Sequence, residues 1–244
     1  MTFRNEIQGS GLDWQAPEPW PDSVSGSQLL NNISKTLKKY LVLPPEAADT
    51  IALWVLYTWT FDAFNVSPIL AITSPTKRCG KTTVVTMLKE LASRSVAASN
   101  ITPAGLFRFV EQEKPTLIID EADRFLLRRE ELRGILNSGH TRAAALVIRT
   151  SGDSYEPRSF STWCPKAIAM IGRLDDTLQD RCIEIRMLRK MKNEKTAILR
   201  ADRLPQEVED YRRQAARWTE DKTEAIREAE PQIPEQLNSR AQDN

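Results

Sequence analysis

The chain contains a single histidine, His140, and this scarcity excludes several kinds of site. Zinc sites of the HExxH type and nuclease centres built on paired histidines cannot be assembled from one imidazole. We expect His140 to lie at a helix end or on the surface. Cys79, Cys164 and Cys182 stand far apart without a CxxC pair, which is typical of reduced thiols in a cytosolic protein.

Long hydrophobic runs and an excess of one charge sign are also lacking. The most apolar stretch, Ile51 to Phe61, is too short to cross a bilayer and favours a buried helix. The first residues carry no apolar stretch of the kind a signal peptide needs, so we expect no membrane partner. With 34 basic against 33 acidic residues, a nucleic-acid surface requires local clustering, such as the basic stretch from Arg186 to Arg203.

The pattern along the chain predicts four parts. Residues 1–27 are rich in Gly, Ser, Pro and Asp and are interpreted as an extended arm, and residues 28–66 as a helical element. Residues 67–190 alternate short apolar strands with amphipathic helices, which predicts an α/β core with a mostly parallel sheet between helices. From about Arg189 onward the chain is polar and predicted to be helical, and residues 191–244 are interpreted as a helical C-terminal segment.

The predicted strands are apolar on both faces, as strands of a parallel sheet are. Two further strands are predicted around the turn "SGDS", between a helix and the fourth core strand. The predicted core strands are "PILAIT", "SVAASN", "TLIID", "KAIAMIG" and "RCIEIRM".

The stretch "ITSPTKRCGKTT" follows the first of these strands and precedes a helix. Its Gly80, Lys81 and Thr82 match the second half of the phosphate-loop motif GxxxxGK[ST], while Pro75 stands in the position of the first glycine. Proline removes one N–H and holds φ near about −65°, so the loop must begin with a differently shaped turn. The residues expected to contact a nucleotide are Pro75, Thr76, Lys77, Arg78, Cys79, Gly80, Lys81, Thr82 and Thr83.

These residue types predict binding of ATP with Mg²⁺. Backbone N–H groups and the helix N-terminus surround phosphates with positive partial charge, and the Lys81 ammonium lies between the β- and γ-phosphates. The Thr82 hydroxyl is expected to ligate the metal together with Asp120, which ends the strand "TLIID". Glu121 is expected to polarise the attacking water, a role that most P-loop kinases lack. Asp123 is an alternative that only complements a helix dipole.

The order of these motifs resembles that of AAA+ ATPases. The resemblance implies that Arg181 is an arginine finger that reaches the γ-phosphate of a neighbouring subunit, which requires a ring such as a hexamer, or at least a dimer. The alternative is a surface salt bridge. Arg173 follows the fourth core strand, where a polar sensor is expected, and Lys166 at the start of that strand is expected at the surface.

Several segments resemble, in order, a domain-of-unknown-function family of P-loop ATPases from phages and mobile elements, often linked to primase modules. The resemblance covers Pro19 to the C-terminus and implies that a Ser-Pro loop start is a family feature. It also implies a replication or primase partner and a chain that continues past "LNSRAQDN", with Arg240 in a sensor-like role. The segments are "AITSPTKRCGKTT", "PTLIIDEADRFL", "ELRGILNSGH", "VIRTSGD", "EPRSFSTWCPKAIAMIG" and "DTLQDR".

The predicted hairpin is similar in position to the one that ring helicases of the AAA+ type insert into their central channel. On that interpretation Arg142, Arg149 and Arg158 contact the phosphates of single-stranded DNA and Tyr155 stacks on a base. The alternative is a solvated hairpin whose charges keep a sheet edge soluble.

Two functions remain open from the residues alone. One is an ATP-driven DNA helicase or translocase of a mobile element, and the other is an ATP-gated initiator or loader that assembles on DNA or a protein partner without unwinding. A small-molecule kinase ranks below both because of Glu121.

Overall fold

Five parallel strands form the central sheet of the computed structural model, which describes residues 14–124, 130–151, 156–237 and 242. The strands are β1 (Ile69–Ser74), β2 (Ser95–Ala98), β3 (Thr116–Ile119), β6 (Lys166–Ile171) and β7 (Cys182–Arg186). Their order across the sheet is β2-β3-β6-β1-β7. Because every pair is parallel, all carboxyl ends meet at one edge of the sheet, where ligands bind in open α/β folds.

Helices cover both faces of the sheet. Ser25 caps the helix Gly26–Tyr40 and Thr102 caps the helix Pro103–Glu113 through their side-chain oxygens, and Pro103 occupies the first turn of the latter helix. The helices are α1 (Gly26–Tyr40), α2 (Ala47–Trp59), α3 (Lys81–Leu91), α4 (Pro103–Glu113), α5 (Glu130–Ser138), α6 (Asp176–Gln179) and α7 (Leu204–Arg227), with short 3-10 turns at Phe61–Ala63, Ala122–Arg124 and Arg142–Ala144. Within the described residues no helix combines the length and hydropathy needed to cross a membrane.

Alternating residues of β1 bury into two separate apolar clusters, one on each face of the sheet. Leu70 and Ile72 pack with α1, α2, α3 and α7. Ile69 and Ala71 pack on the opposite face with α4 and α5. The strand is therefore buried on both sides, which holds its carboxyl end, and the loop that follows it, in a fixed position.

A separate two-stranded antiparallel hairpin lies between α5 and β6, as predicted. It consists of β4 (Leu146–Ser151) and β5 (Glu156–Ser161), with Arg149 opposite Arg158 in the ladder. Its Phe160 packs against Phe107 of α4, with ring centroids 4.8 Å apart.

The predicted helix from Arg189 onward is wrong over residues 189–203, all of which are described and none of which is in a helix or strand. The helix begins only at Leu204, where Pro205 occupies its first turn. Lysines and arginines three residues apart, such as Arg189, Lys192 and Lys195, repel one another on a helix and disfavour it.

Lys166, expected at the surface, is only 2% exposed. Its Nζ donates to the backbone oxygens of Cys164 at 2.7 Å and Gly139 at 3.0 Å, and burial lowers the pKa of this lysine. The sequence prediction was wrong because these carbonyl acceptors come from the end of α5 and the loop before β6. His140 directly follows the same helix end and is also buried.

We expect Lys166→Ala to lower the free energy of unfolding by about 3 kcal/mol, since it opens a cavity and removes the lysine donor of the Gly139 carbonyl. The Cys164 carbonyl keeps a hydrogen bond from the Ser67 hydroxyl at 3.2 Å. Chemical denaturation measures this loss. The control is Lys35→Ala, an exposed position on α1, for which a change below about 0.5 kcal/mol is expected. Equal losses in the two variants would contradict the role given to Lys166.

Candidate nucleotide-binding site

Residues 75–80 connect the end of β1 to the start of α3 at the carboxyl edge of the sheet. Arg78 and Gly80 adopt left-handed conformations, with φ of 66° and 85°. Glycine adopts this conformation without strain, and a Cβ at Gly80 would lie 3.4 Å from Leu41 Cδ2, an ordinary contact. The requirement for glycine at position 80 therefore comes from its backbone conformation.

Ser74 explains how the loop closes with proline in place of the first glycine. The buried Ser74 hydroxyl donates to the backbone oxygen of Thr76 at 2.7 Å and accepts from Lys81 Nζ at 2.7 Å. Inside the loop the Cys79 thiol, also buried, donates to the same Thr76 oxygen at 3.3 Å. Ser74 thus orients the lysine across the loop, a role that the motif alone does not indicate because the GxxxxGK[ST] pattern begins one residue later.

The loop offers backbone donors to a ligand. The N–H groups of residues 76–80 donate to no acceptor in the part of the chain that the structure describes. They lie directly before α3, whose N-terminus adds the positive end of a helix dipole. This arrangement fits an anionic group such as a phosphate chain.

Acidic residues follow β3 at the same edge of the sheet. Asp120 accepts a hydrogen bond at Oδ1 from the Glu121 N–H at 2.8 Å, and Glu121 is exposed in a left-handed conformation with φ of 54°. Asp123 Oδ1 accepts from the Ile171 N–H at 3.0 Å, which joins the end of β3 to the end of β6. Asp123 therefore stabilises the edge of the sheet, beyond the dipole role that the sequence indicates.

Lys81, Thr82, Asp120 and Glu121 line one cleft of about 310 Å³, together with Lys77, Arg78 and Asp123. The strand β6 lies between β1 and β3, so two inter-strand spacings of about 4.8 Å each separate the two strand ends. That separation leaves room for a phosphate chain and a cation. Hydroxyl and carboxylate oxygens are the ligands that Mg²⁺ prefers, alongside substrate phosphates.

A second cleft of about 220 Å³ adjoins the same loop beside Gly80 and Thr83. Its walls come from Tyr40–Val42 at the end of α1 and from Met187–Leu188 after β7. No local pattern in the sequence indicates these residues, since segments about 145 positions apart meet only in the folded chain. The cleft is partly apolar and lies next to the phosphate loop, where it can receive a planar base.

Arg181 lies at the opposite edge of the sheet from the phosphate loop. Its backbone oxygen accepts from Ile69 N at 2.9 Å at the amino end of β1, and its Nη1 donates to Thr177 O at 2.5 Å. Arg173, by contrast, follows β6 at the carboxyl edge and lines a cleft of about 340 Å³ with Pro75, Glu184 and Arg186. Arg173 therefore lies near the phosphate loop of the same chain, whereas Arg181 lies away from it.

Two of the proposed DNA-contacting arginines already have acidic partners within the chain. Arg142 pairs with Asp62 at 3.5 Å, and Arg149 pairs with Glu131 at 2.9 Å. Arg158 is exposed. Tyr155 and Arg240 lie outside the described residues.

No family model and no curated protein matches the chain. Among solved structures it is similar to the NrS-1 C-terminal region in its A-form apo structure, with a TM-score of 0.50 and 14% identity over 87% of this chain and 52% of that one. An apo structure of NrS-1 residues 305–718 gives a TM-score of 0.47 and 15% identity, with 87% and 53% of the chains covered. The X-ray structure of the JCV helicase gives a TM-score of 0.40 and 13% identity, with 83% of this chain and 59% of that chain covered.

The fold is that of a P-loop NTPase. The strand order and the loop between β1 and α3 carry this assignment, and the likeness to the NrS-1 region supports the overall α/β architecture. At 14% identity the likeness concerns the fold alone. The chain spans about half the length of the NrS-1 regions that it matches.

Proposed function

We propose that the chain is an ATPase that binds Mg-ATP at the phosphate loop and hydrolyses its γ-phosphate. The observation that carries this proposal is the single cleft shared by Lys81, Thr82, Asp120 and Glu121. The N–H groups of residues 76–80 hold the phosphates, Thr82 and Asp120 hold the metal, and the base lies beside Gly80 and Thr83. A Mg²⁺ ion held there would supply positive charge that offsets the charge of the phosphates.

Each protein group has a distinct task in this reaction. The Lys81 ammonium, oriented by Ser74, stabilises negative charge that develops on the transferred phosphoryl group. Glu121 accepts a hydrogen bond from the attacking water and directs its oxygen at the γ-phosphorus. The bond from the γ-phosphorus to the ADP oxygen breaks as the new bond to the water oxygen forms. The proton that the water loses passes to Glu121 and from there to the released phosphate or to solvent, and the products are ADP and inorganic phosphate.

We further propose that hydrolysis drives a helicase or translocase on single-stranded DNA, within a homo-oligomeric ring and with a replication protein as partner. The position of Arg181 supports a ring, because this arginine lies far from its own loop and could act only on a neighbour's. The internal partners of Arg142 and Arg149 favour the second candidate, an ATP-gated loader whose hairpin does not pull on DNA.

The test is phosphate release by the chain with ATP, with and without Mg²⁺ and with and without single-stranded DNA. We expect hydrolysis that depends on Mg²⁺ and rises severalfold with DNA, with strand displacement of a tailed duplex. Hydrolysis and ATP-dependent assembly without displacement would support the loader. Failure to bind ATP at all would contradict the proposed function, and phosphate on a small metabolite would indicate a kinase.

A further inference from the structure

The segment of residues 186–203, here called the basic strap, carries a concentrated positive charge. It contains seven arginines and lysines against two acids, Glu194 and Asp202. All of the basic side chains are exposed, and none forms an ion pair with any residue that the structure describes. They are Arg186, Arg189, Lys190, Lys192, Lys195, Arg200 and Arg203.

The strap differs in this respect from other basic side chains on the surface. Arg142 and Arg149 near the hairpin are paired with Asp62 and Glu131, and Arg217 on α7 is paired with Asp221 at 3.0 Å. A local net charge of +5, from seven cations and two anions, is left without compensation in a chain whose overall charge is +1. Such a cluster produces a strong local potential that attracts anions.

Backbone hydrogen bonds hold the strap at two points, the carboxyl end of β1 and the end of α1. Met187 N donates to Thr73 O at 2.7 Å, and Ala197 N donates to Lys39 O at 2.9 Å at the end of α1. Between these two points the Met191 N–H donates to Glu194 Oε2 at 2.6 Å, which forms a local turn. The strap is thus an anchored, non-helical segment.

Large apolar side chains are interspersed with the cations and point into solvent. Leu188 is 63% exposed, Met191 68% and Ile198 81%. Exposed apolar groups among cations are suited to a partner with repeated negative charge and flat apolar surfaces between the charges. A single-stranded nucleic acid has both, in its phosphates and unpaired bases. A membrane surface would instead favour an amphipathic helix, and residues 187–203 contain none.

We propose that the basic strap binds the phosphate backbone of a single-stranded nucleic acid. This deepens the proposed function, because it assigns the nucleic-acid surface of the ATPase to the strap in place of the hairpin. Leu188, Lys190 and Thr196 of the strap also line the cleft beside Gly80 and Thr83. The bound strand therefore lies next to the base of the nucleotide.

The test is a fluorescence anisotropy titration of a labelled oligothymidylate, without nucleotide, at several salt concentrations. The variant is Lys192→Glu/Lys195→Glu, whose side chains lie outside both nucleotide clefts. We expect its affinity to fall about tenfold or more at about 50 mM salt, and the slope of log K against log salt to decrease by about 1.4, for two lost contacts. The matched control, Lys35→Glu/Lys222→Glu, makes the same charge change on α1 and α7 and should stay within about twofold.

Four results would overturn the assignment. One is that the wild-type chain binds no oligonucleotide while it hydrolyses ATP, which leaves the ATPase proposal intact. Another is that the strap variant and the control variant lose the same amount of oligonucleotide affinity, which indicates a general charge effect. The third is that Arg158→Glu on the hairpin abolishes binding while the strap variant does not. Strap-dependent binding to anionic phosphatidylserine vesicles without oligonucleotide binding would equally contradict it.

Discussion

Lys81→Ala is expected to weaken ATP binding by about 10- to 100-fold and to reduce hydrolysis by a larger factor. Charge-assisted hydrogen bonds contribute about 1.5–3 kcal/mol each, and Lys81 is positioned by Ser74 to make them to the phosphates. The charge also develops further in the transition state, so the rate should fall by about 100-fold or more beyond the binding loss. Titration with a fluorescent ATP analogue and a phosphate-release assay measure the two effects separately.

The control for this variant is Lys89→Ala, near the other end of the same helix. Lys89 is exposed and pairs with Glu90 at 3.5 Å, away from the nucleotide cleft, so its removal should leave both measurements unchanged. Thermal unfolding of each variant shows whether α3 is intact. If the folded Lys81→Ala variant bound and hydrolysed ATP as the wild type does, the assignment of residues 75–83 as a phosphate-binding loop would be refuted.

The Glu121→Gln variant should retain ATP affinity and lose turnover by about 100-fold to 10,000-fold, the usual contribution of a positioned general base. Glutamine preserves the size of the side chain but cannot accept a proton from water. Glu121 lies in a left-handed conformation that positions it at the end of β3, and sparsely populated conformations of this kind cluster at functional sites. Single-turnover hydrolysis and nucleotide titration separate chemistry from binding.

Glu220→Gln on the exposed face of α7 makes the same chemical change away from the cleft and should be neutral. Hydrolysis by Glu121→Gln at the wild-type rate would remove Glu121 from the mechanism. We expect Lys81→Ala to lose ATP affinity and Glu121→Gln to retain it. General unfolding cannot produce this pair of results.

The core of the fold could be predicted from sequence because its signals are local. Each parallel strand is a short apolar run between polar turns, and all five predicted core strands are present within a few residues of their expected bounds. The phosphate loop and the Asp120-Glu121 pair were equally visible, since a loop that wraps a phosphate and a strand that ends in acids need particular residues at consecutive positions.

Roles that depend on distant contacts were not visible in the same way. Whether an arginine is free for a ligand depends on which acid packs beside it, and the sequence does not show that Arg149 meets Glu131. Lys166 can be buried because the Gly139 and Cys164 carbonyls accept hydrogen bonds from its ammonium, and the Gly139 carbonyl comes close to it only in the folded chain. For the basic strap, composition showed the charge, but only the structure showed that its cations are exposed and have no acidic partners among the described residues.

The sequence by itself therefore determined the strands, the phosphate loop and the acids that follow β3, because backbone geometry and hydrophobic periodicity act over a few neighbouring residues. The tertiary structure decided that Lys81, Thr82, Asp120 and Glu121 share one cleft and that Tyr40–Val42 and Met187–Leu188 form another beside it. These groups meet because parallel pairing brings the ends of separate strands to one edge, a relation set by packing across the whole chain.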